Sequence, residues 1–315
     1  MSRSLTKHAT EPSIVALGGG HGLANALRAL RRVTTDLTAI VGVSDDGGSS
    51  GRLRAEFGVL PPGDLRMALA ALCGDDMWGR TWSRVIQHRF GGDGALAGHS
   101  LGNLMMTALW QEAEDPVIGL AWMAALLEAH GTVLPCSTTP ITIGARLATG
   151  ETIHGQAQVA TAPGPIADVW IEPVDPPAYV ESVNAIAQAD VLVLGPGSWY
   201  TSVLPHLLIP EQRDALITSR AGRVLITNVQ PTMDRETRGL PLTRHLELIG
   251  AYAPDLRFDA IIVDPSHVDE RNALEEQAMA LGSRVHYATV ERRDGTGQHD
   301  PDLLSAALRT VLGIR

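Results

Sequence analysis

Two hydrophobic patterns alternate along this chain. Short continuous apolar runs occur at Ser13–Leu17, Thr38–Val43, Asp190–Leu194, Arg223–Asn228 and Phe258–Val263. Runs of this length suit strands buried on both faces of a parallel sheet. Between them, apolar residues recur every three or four positions: Leu23, Leu27 and Leu30; Leu65, Leu69 and Leu72; Leu101, Leu104, Met105, Ala108 and Leu109; Val180, Val183 and Ile186. That spacing predicts amphipathic helices. Further helices are expected at Trp78–Phe90, Pro116–His130, Leu207–Ser219, Leu240–Tyr252, Val268–Leu281 and Pro301–Leu312, with a short strand at Val285–Ala288. Strand alternating with helix predicts an α/β fold, Rossmann-like and doubly wound on a mostly parallel sheet. The period changes once. Ile141–Leu147 and Thr152–Val159 flank the turn Ala148–Glu151 and read as a hairpin, with Ile166–Ile171 as a third strand. A small antiparallel insertion is therefore expected at about 131–172, within a single domain spanning 1–315.

Polar, glycine-rich knots follow the strands. The first, Gly18-Gly-Gly-His-Gly22, joins a strand to a helix. Gly19, Gly20 and Gly22 would let backbone amides approach a diphosphate, and the helix start adds partial positive charge. His21 could donate to a phosphate or lie on the surface of the turn. The second strand breaks into Ser44-Asp-Asp-Gly-Gly-Ser-Ser-Gly-Arg-Leu-Arg54. Asp45 and Asp46 could contact a ribose or hold a hard cation. Ser49, Ser50 and Arg52 are candidates for phosphate or sugar, although a solvated loop of turn formers is the plainer reading. Asp64 reads as a helix cap, and Arg66 and His99 as polar support near the same loop. Ser100 reads as an N-cap, with Asn103 placed to orient a polar ligand group. The strand Asp190–Leu194 runs into a second knot in which Gly197, Ser198 and Thr201 would form another anion cradle. Trp78 and Trp82 read as core residues.

Composition narrows the options. A net charge of −10 argues against a general nucleic-acid binder. The two cysteines, Cys73 and Cys136, stand far apart, which excludes a disulfide scaffold and a cysteine zinc site and suits a reducing cytoplasm. Met1–Pro12 is polar, without the apolar centre of a secretory signal. No apolar run approaches the roughly 20 residues of a membrane helix. A nicotinamide-dependent oxidoreductase fits the first strand–turn–helix unit only by fold analogy. A serine hydrolase is rejected because the GxSxG elbow is absent.

Five stretches carry a resemblance: Leu17–Leu23, Val43–Arg54, Leu60–Arg66, Ala97–Asn103 and Leu194–Pro205. In this order they resemble the bacterial gluconeogenesis factor family, a branch of the superfamily named for 2-phospho-L-lactate transferase. The resemblance implies a Rossmann-like core with a pocket for a nucleotide diphosphate. In the gluconeogenesis branch it implies a UDP-sugar such as UDP-N-acetylglucosamine, no turnover, and a role in cell shape and wall synthesis during growth on gluconeogenic carbon. In the transferase branch it implies a divalent metal such as Mg2+, with Asp45 and Asp46 the candidate ligands, and transfer of phospholactate to a deazaflavin. The wording around Asp45 favours the first branch. A protein partner and a homo-oligomer are expected, the latter from the antiparallel insertion. Two departures bear on the ligand. His21 stands where the family usually has threonine, and Arg238 replaces an acid in the loop Gln230–Gly239, where Glu236 and Thr237 keep the family pattern.

Overall fold

The computed structural model describes residues 11–113, 115–230, 236–268 and 270–314. The strands, in chain order, are β1 (Ile14–Gly18), β2 (Leu37–Val41), β3 (Thr132–Pro135), β4 (Thr142–Leu147), β5 (Thr152–His154), β6 (Ile166–Glu172), β7 (Val191–Leu194), β8 (Gly222–Ile226), β9 (Ala260–Val263) and β10 (Val285–Tyr287). Seven of them form one sheet in the order β10-β9-β8-β7-β1-β2-β3, and every pairing in it is parallel. β1, β7 and β9 are buried along their whole length, which is why their sequences are continuous apolar runs. Each fully buried valine, leucine or isoleucine contributes about 1.5–3 kcal/mol.

The chain builds outward from β1 through β2 to β3, then returns to the other side of β1 and builds through β7 to β10. The order of the strands therefore reverses between β1 and β7. Both strands end on the same edge of the sheet, and the chains leaving them diverge. Such a switch point opens a crevice beyond the carboxyl ends of the strands.

The helices that matter to this crevice are α1 (Gly20–Leu30), α2 (Gly48–Phe57), α3 (Pro62–Leu72), α4 (Met77–Gln87) and α5 (Leu101–Glu112). α1 buries Leu23, Leu27 and Leu30, as the spacing predicts, and packs against β1, α3 and the helix Pro301–Leu312. The small antiparallel sheet, ordered β5-β4-β6, turns Ile143, Ala145, Leu147, Ile153, Val169 and Ile171 inward.

The fold departs from expectation in particular places. Thr132–Pro135 is not part of the insertion but the edge strand of the main sheet, so the antiparallel unit begins at Thr142 rather than near 131. Thr152–Val159 is a strand only as far as His154. Gly155 turns the chain with φ +99°, and a Cβ there would stand 2.2 Å from Asp46 Oδ2, so a helical turn follows instead. The stretch after Asp46 is helix α2, not a loop. Leu207–Ser219 divides at Pro210, which cannot continue a helix begun before it. Trp78 is 45% exposed; it lies against Trp82 on the surface rather than in the core. Within the loop after Gln230, residues 231–235 lie outside the described residues. Among the described residues no helix is long and apolar enough to cross a membrane.

Candidate functional site

The crevice between β1 and β7 is a cleft of about 460 Å³, within the size range of small-molecule sites. Its floor is the first glycine turn. β1 ends at Gly18, whose carbonyl accepts from the buried His206 Nε2 at 3.0 Å. Gln212 bonds the other ring nitrogen at 2.7 Å. Burial lowers the pKa of His206 to about 4, so this brace under the turn is neutral. Gly19 is extended, and α1 starts at Gly20. The first amides of a helix have no partner within it. The Gly20 amide lies beside the Asp64 carboxyl and favours its charged form. Among the described residues nothing accepts from the His21 and Gly22 amides, and both residues line the cleft. Two backbone donors at a helix start make a site for an anion. Gly22 also lets the two knots touch, since a Cβ there would lie 2.3 Å from the Pro196 carbonyl oxygen.

One wall carries two acids. Asp45, beyond β2, and Asp64, in the first turn of α3, both line the cleft. Asp64 is buried, 8% exposed. Burial, reinforced by the charge of Asp45, raises its pKa to about 7, against the opposing pull of the Gly20 amide and Arg66. An acid that titrates near neutrality inside a cleft is a common mark of a functional site. His21 is held below its ordinary pKa by desolvation, with the charges of Arg66, Arg28 and Arg89 adding to it.

The opposite wall is the knot after β7. Asn228, at the end of β8, accepts from the Gly197 amide and donates to the Gly197 carbonyl, each at 2.9 Å. Glu236 Oε2 accepts from the amides of Tyr200 and Thr201 at 2.9 and 3.2 Å, and its Oε1 accepts from the Thr201 hydroxyl. The Ser202 amide closes on the Ser198 carbonyl at 2.8 Å. The amides of Gly197, Tyr200, Thr201 and Ser202 are thus committed within the protein. Asn228 and Glu236 fix the shape of this knot, and among the described residues nothing accepts from the Ser198 and Trp199 amides.

The far end is closed by Thr296, Gly297, Gln298 and His299. His299 is 5% exposed, and its buried Nε2 has no hydrogen-bond partner among the described residues. Burial lowers its pKa to about 4, despite the Thr227 carbonyl at the ring and the charge of Asp264. The ring is neutral at pH 7. Its Nε2 is covered from solvent by the surrounding protein.

Comparison with known proteins accords with this geometry. Residues 14–298 match the family described as 2-phospho-L-lactate transferase CofD. The chain belongs to the CofD family. A protein named "Putative gluconeogenesis factor" from Mycobacterium leprae is 48% identical over 310 residues, covering 95% of this chain and 86% of that one. A "Gluconeogenesis factor" from Halalkalibacterium halodurans is 40% identical over 314 residues, covering 94% and 95%. A crystal structure of a UPF0052 family member from Bacillus halodurans has a TM-score of 0.85 at 34% identity, covering 96% of this chain and all of that one.

In this CofD-family chain the residues singled out from sequence divide into two groups. Gly19, Gly20, His21, Gly22, Asp45, Asp64, Gly197, Ser198 and Thr201 meet around the cleft. The others stand behind its wall. Asp46 Oδ1 accepts from the Ala157 amide at 2.8 Å and ties the insertion to α2. Ser49 Oγ bonds His99 Nδ1 at 3.0 Å and accepts from Asn103 Nδ2 at 3.1 Å. Ser50 lies beside the same amide at 3.4 Å, and Arg66 Nε donates to Asn103 Oδ1 at 2.9 Å. Ser49, Ser50, Arg66, His99 and Asn103 therefore form a buried network that seats α2 on α5. Arg52 donates to the Ala97 carbonyl at 2.8 Å, a loop clasp rather than a phosphate contact.

Other cleft residues escaped sequence reasoning. Asn25 faces the cleft from the first turns of α1, and Gln156 and Ala160 reach it from the insertion. Gln298 and His299 arrive from a loop distant in sequence, as does Glu236, which the resemblance had marked without giving it a role. Only the polar end of β8 at Asn228 and the glycine-flanked Thr296 gave a local hint.

Proposed function

We propose that this chain binds a nucleotide-sugar diphosphate of the UDP-N-acetylglucosamine type and acts as a gluconeogenesis factor. The role would be in cell shape and wall synthesis under gluconeogenic growth, by sensing the ligand without turning it over. The observation that carries the reading is the pair of uncommitted His21 and Gly22 amides at the start of α1, set at the switch point of the sheet. The diphosphate would rest on these donors, as anions do at helix N-termini. Asp45 suits a ribose hydroxyl. The names of the relatives support the assignment as a gluconeogenesis factor.

A second reading follows from the acid pair. A divalent cation, of the kind the transferase branch uses, fits Asp45 and Asp64. A cation would relieve the repulsion that Asp45 exerts on Asp64, and Mg2+ is commonly held by one or two carboxylates plus ligand phosphates. Among the described residues there is no cluster of three or more acids, histidines or cysteines, so phosphate would complete the site. The cation would neutralise phosphate charge there, and the protein would supply positioning. Asp46 stands behind the cleft wall, its Oδ1 accepting from the Ala157 amide.

Calorimetric titration with UDP-N-acetylglucosamine, with and without Mg2+, tests the choice. Micromolar binding that ignores Mg2+ supports the sensor. Absence of that binding, together with Mg2+-dependent binding of GDP, overturns it in favour of the transferase.

A further inference from the structure

A second concavity, of about 350 Å³, lies where α1 and α3 end against α4. Its floor is small and apolar, from Ala70, Ala71 and Cys73. Its rim is five arginines: Arg28, Arg31 and Arg32 from the end of α1, and Arg80 and Arg84 one helical turn apart on α4. Nothing in the cleft chemistry uses them. In a chain of net charge −10, such a concentration of one sign creates a strong local field.

The plainest explanation is that these arginines offset the negative carboxyl ends of α1 and α3. Two helix ends together amount to about one charge. Asp75, 69% exposed, pairs with Arg31 at 2.5 Å, and Asp302 pairs with Arg32. These account for two more. About two positive charges remain. Arg28, Arg80 and Arg84 make no ion pair among the described residues. Arg28 spends one nitrogen on Asn25 at 2.9 Å, and Arg80 donates to the Asp75 carbonyl. Arg80 and Arg84 are exposed at the rim, and arginine forks match phosphate bidentately.

We propose that this basin is a second anion site, built for a dianionic phosphate carried on a small molecule. The residual charge of about two sets the valence. The volume exceeds what a lone phosphate fills, and the apolar floor would take the remainder of the ligand. On binding, phosphate displaces the exposed Asp75 carboxylate from Arg31. The site is separate from the cleft and does not depend on what the cleft holds, although the Arg28–Asn25 bond links their walls.

The test is calorimetric titration of the full chain with inorganic pyrophosphate, and in a second arm with phenyl phosphate as an ester, on three proteins. The wild type should take up two equivalents of pyrophosphate. Arg80→Glu/Arg84→Glu, at two exposed positions on the helix surface, should keep the cleft equivalent and weaken the other at least tenfold in whichever arm binds there. His21→Glu, at the cleft mouth, should do the reverse. The milder Arg84→Gln should weaken basin binding severalfold and guards against a folding defect in the double variant. Unchanged binding of both probes in the arginine variants overturns the proposal. So does a single wild-type equivalent that His21→Glu removes.

Discussion

Asp64 makes the stability of this protein depend on pH in a way that few buried acids do. Its folded-state pKa is raised from the ordinary 3.8 to about 7 by burial and by Asp45. At 1.36 kcal/mol per decade of proton affinity, that raise corresponds to about 4 kcal/mol. The folded chain holds this proton more tightly than the unfolded chain. The associated stability is therefore fully present below pH 3.8 and is lost as pH rises through about 7. About 2.5 kcal/mol of the loss falls between pH 5 and pH 8. Asp64→Asn removes the titration while keeping an oxygen for the Gly20 amide. Three buried histidines, His206, His245 and His299, have pKa values lowered to about 4. They act in the opposite direction, losing stability as pH falls below their ordinary 6.5. The difference between wild type and variant isolates Asp64 from them. Urea unfolding at pH 5, 6, 7 and 8 should show the variant gaining on the wild type by about 2.5 kcal/mol across the series. Asp45→Asn should shrink that gain, because it removes the second cause of the raise. Parallel pH profiles for wild type and Asp64→Asn would refute the reasoning.

Other outcomes follow from single contacts. Gly22→Ala forces a Cβ to within 2.3 Å of the Pro196 carbonyl oxygen; overpacking of this kind costs about 1–3 kcal/mol, and chemical denaturation should show that loss together with weakened ligand binding. Glu236→Gln leaves one oxygen to do the work of two toward Tyr200 and Thr201; the loss of charge-assisted bonds should lower unfolding stability by about 2 kcal/mol, and a variant as stable as wild type would count against the fixed wall. His299→Phe puts a larger ring into a buried site; the overpacking should lower unfolding stability by about 1–3 kcal/mol in urea.

Legibility in the sequence tracked locality. β1, β7 and β9 announce themselves because a strand buried on both faces is apolar throughout, and the glycine turn after β1 is chemistry written in consecutive residues. β3 was hidden because four residues ending in proline resemble a loop. α2 was hidden because Gly48-Ser-Ser-Gly has low helical propensity; the helix forms because Ser49 and Ser50 are tied to Asn103. The same packing turned Ser49, Ser50 and Asn103 from apparent ligand contacts into structure. At the second knot, the small donors were legible but their occupation by Glu236 was not, since the carboxylate arrives from 35 or 36 positions away. His299 carried no local signal, because its meaning lies in a nitrogen left without a partner by residues distant in the chain.

The most direct test of the cleft is a crystal structure of the protein grown with UDP-N-acetylglucosamine. The diphosphate is expected on the His21 and Gly22 amides, with a ribose hydroxyl at Asp45. A diphosphate seated elsewhere, with those two amides facing only water, would contradict this expectation.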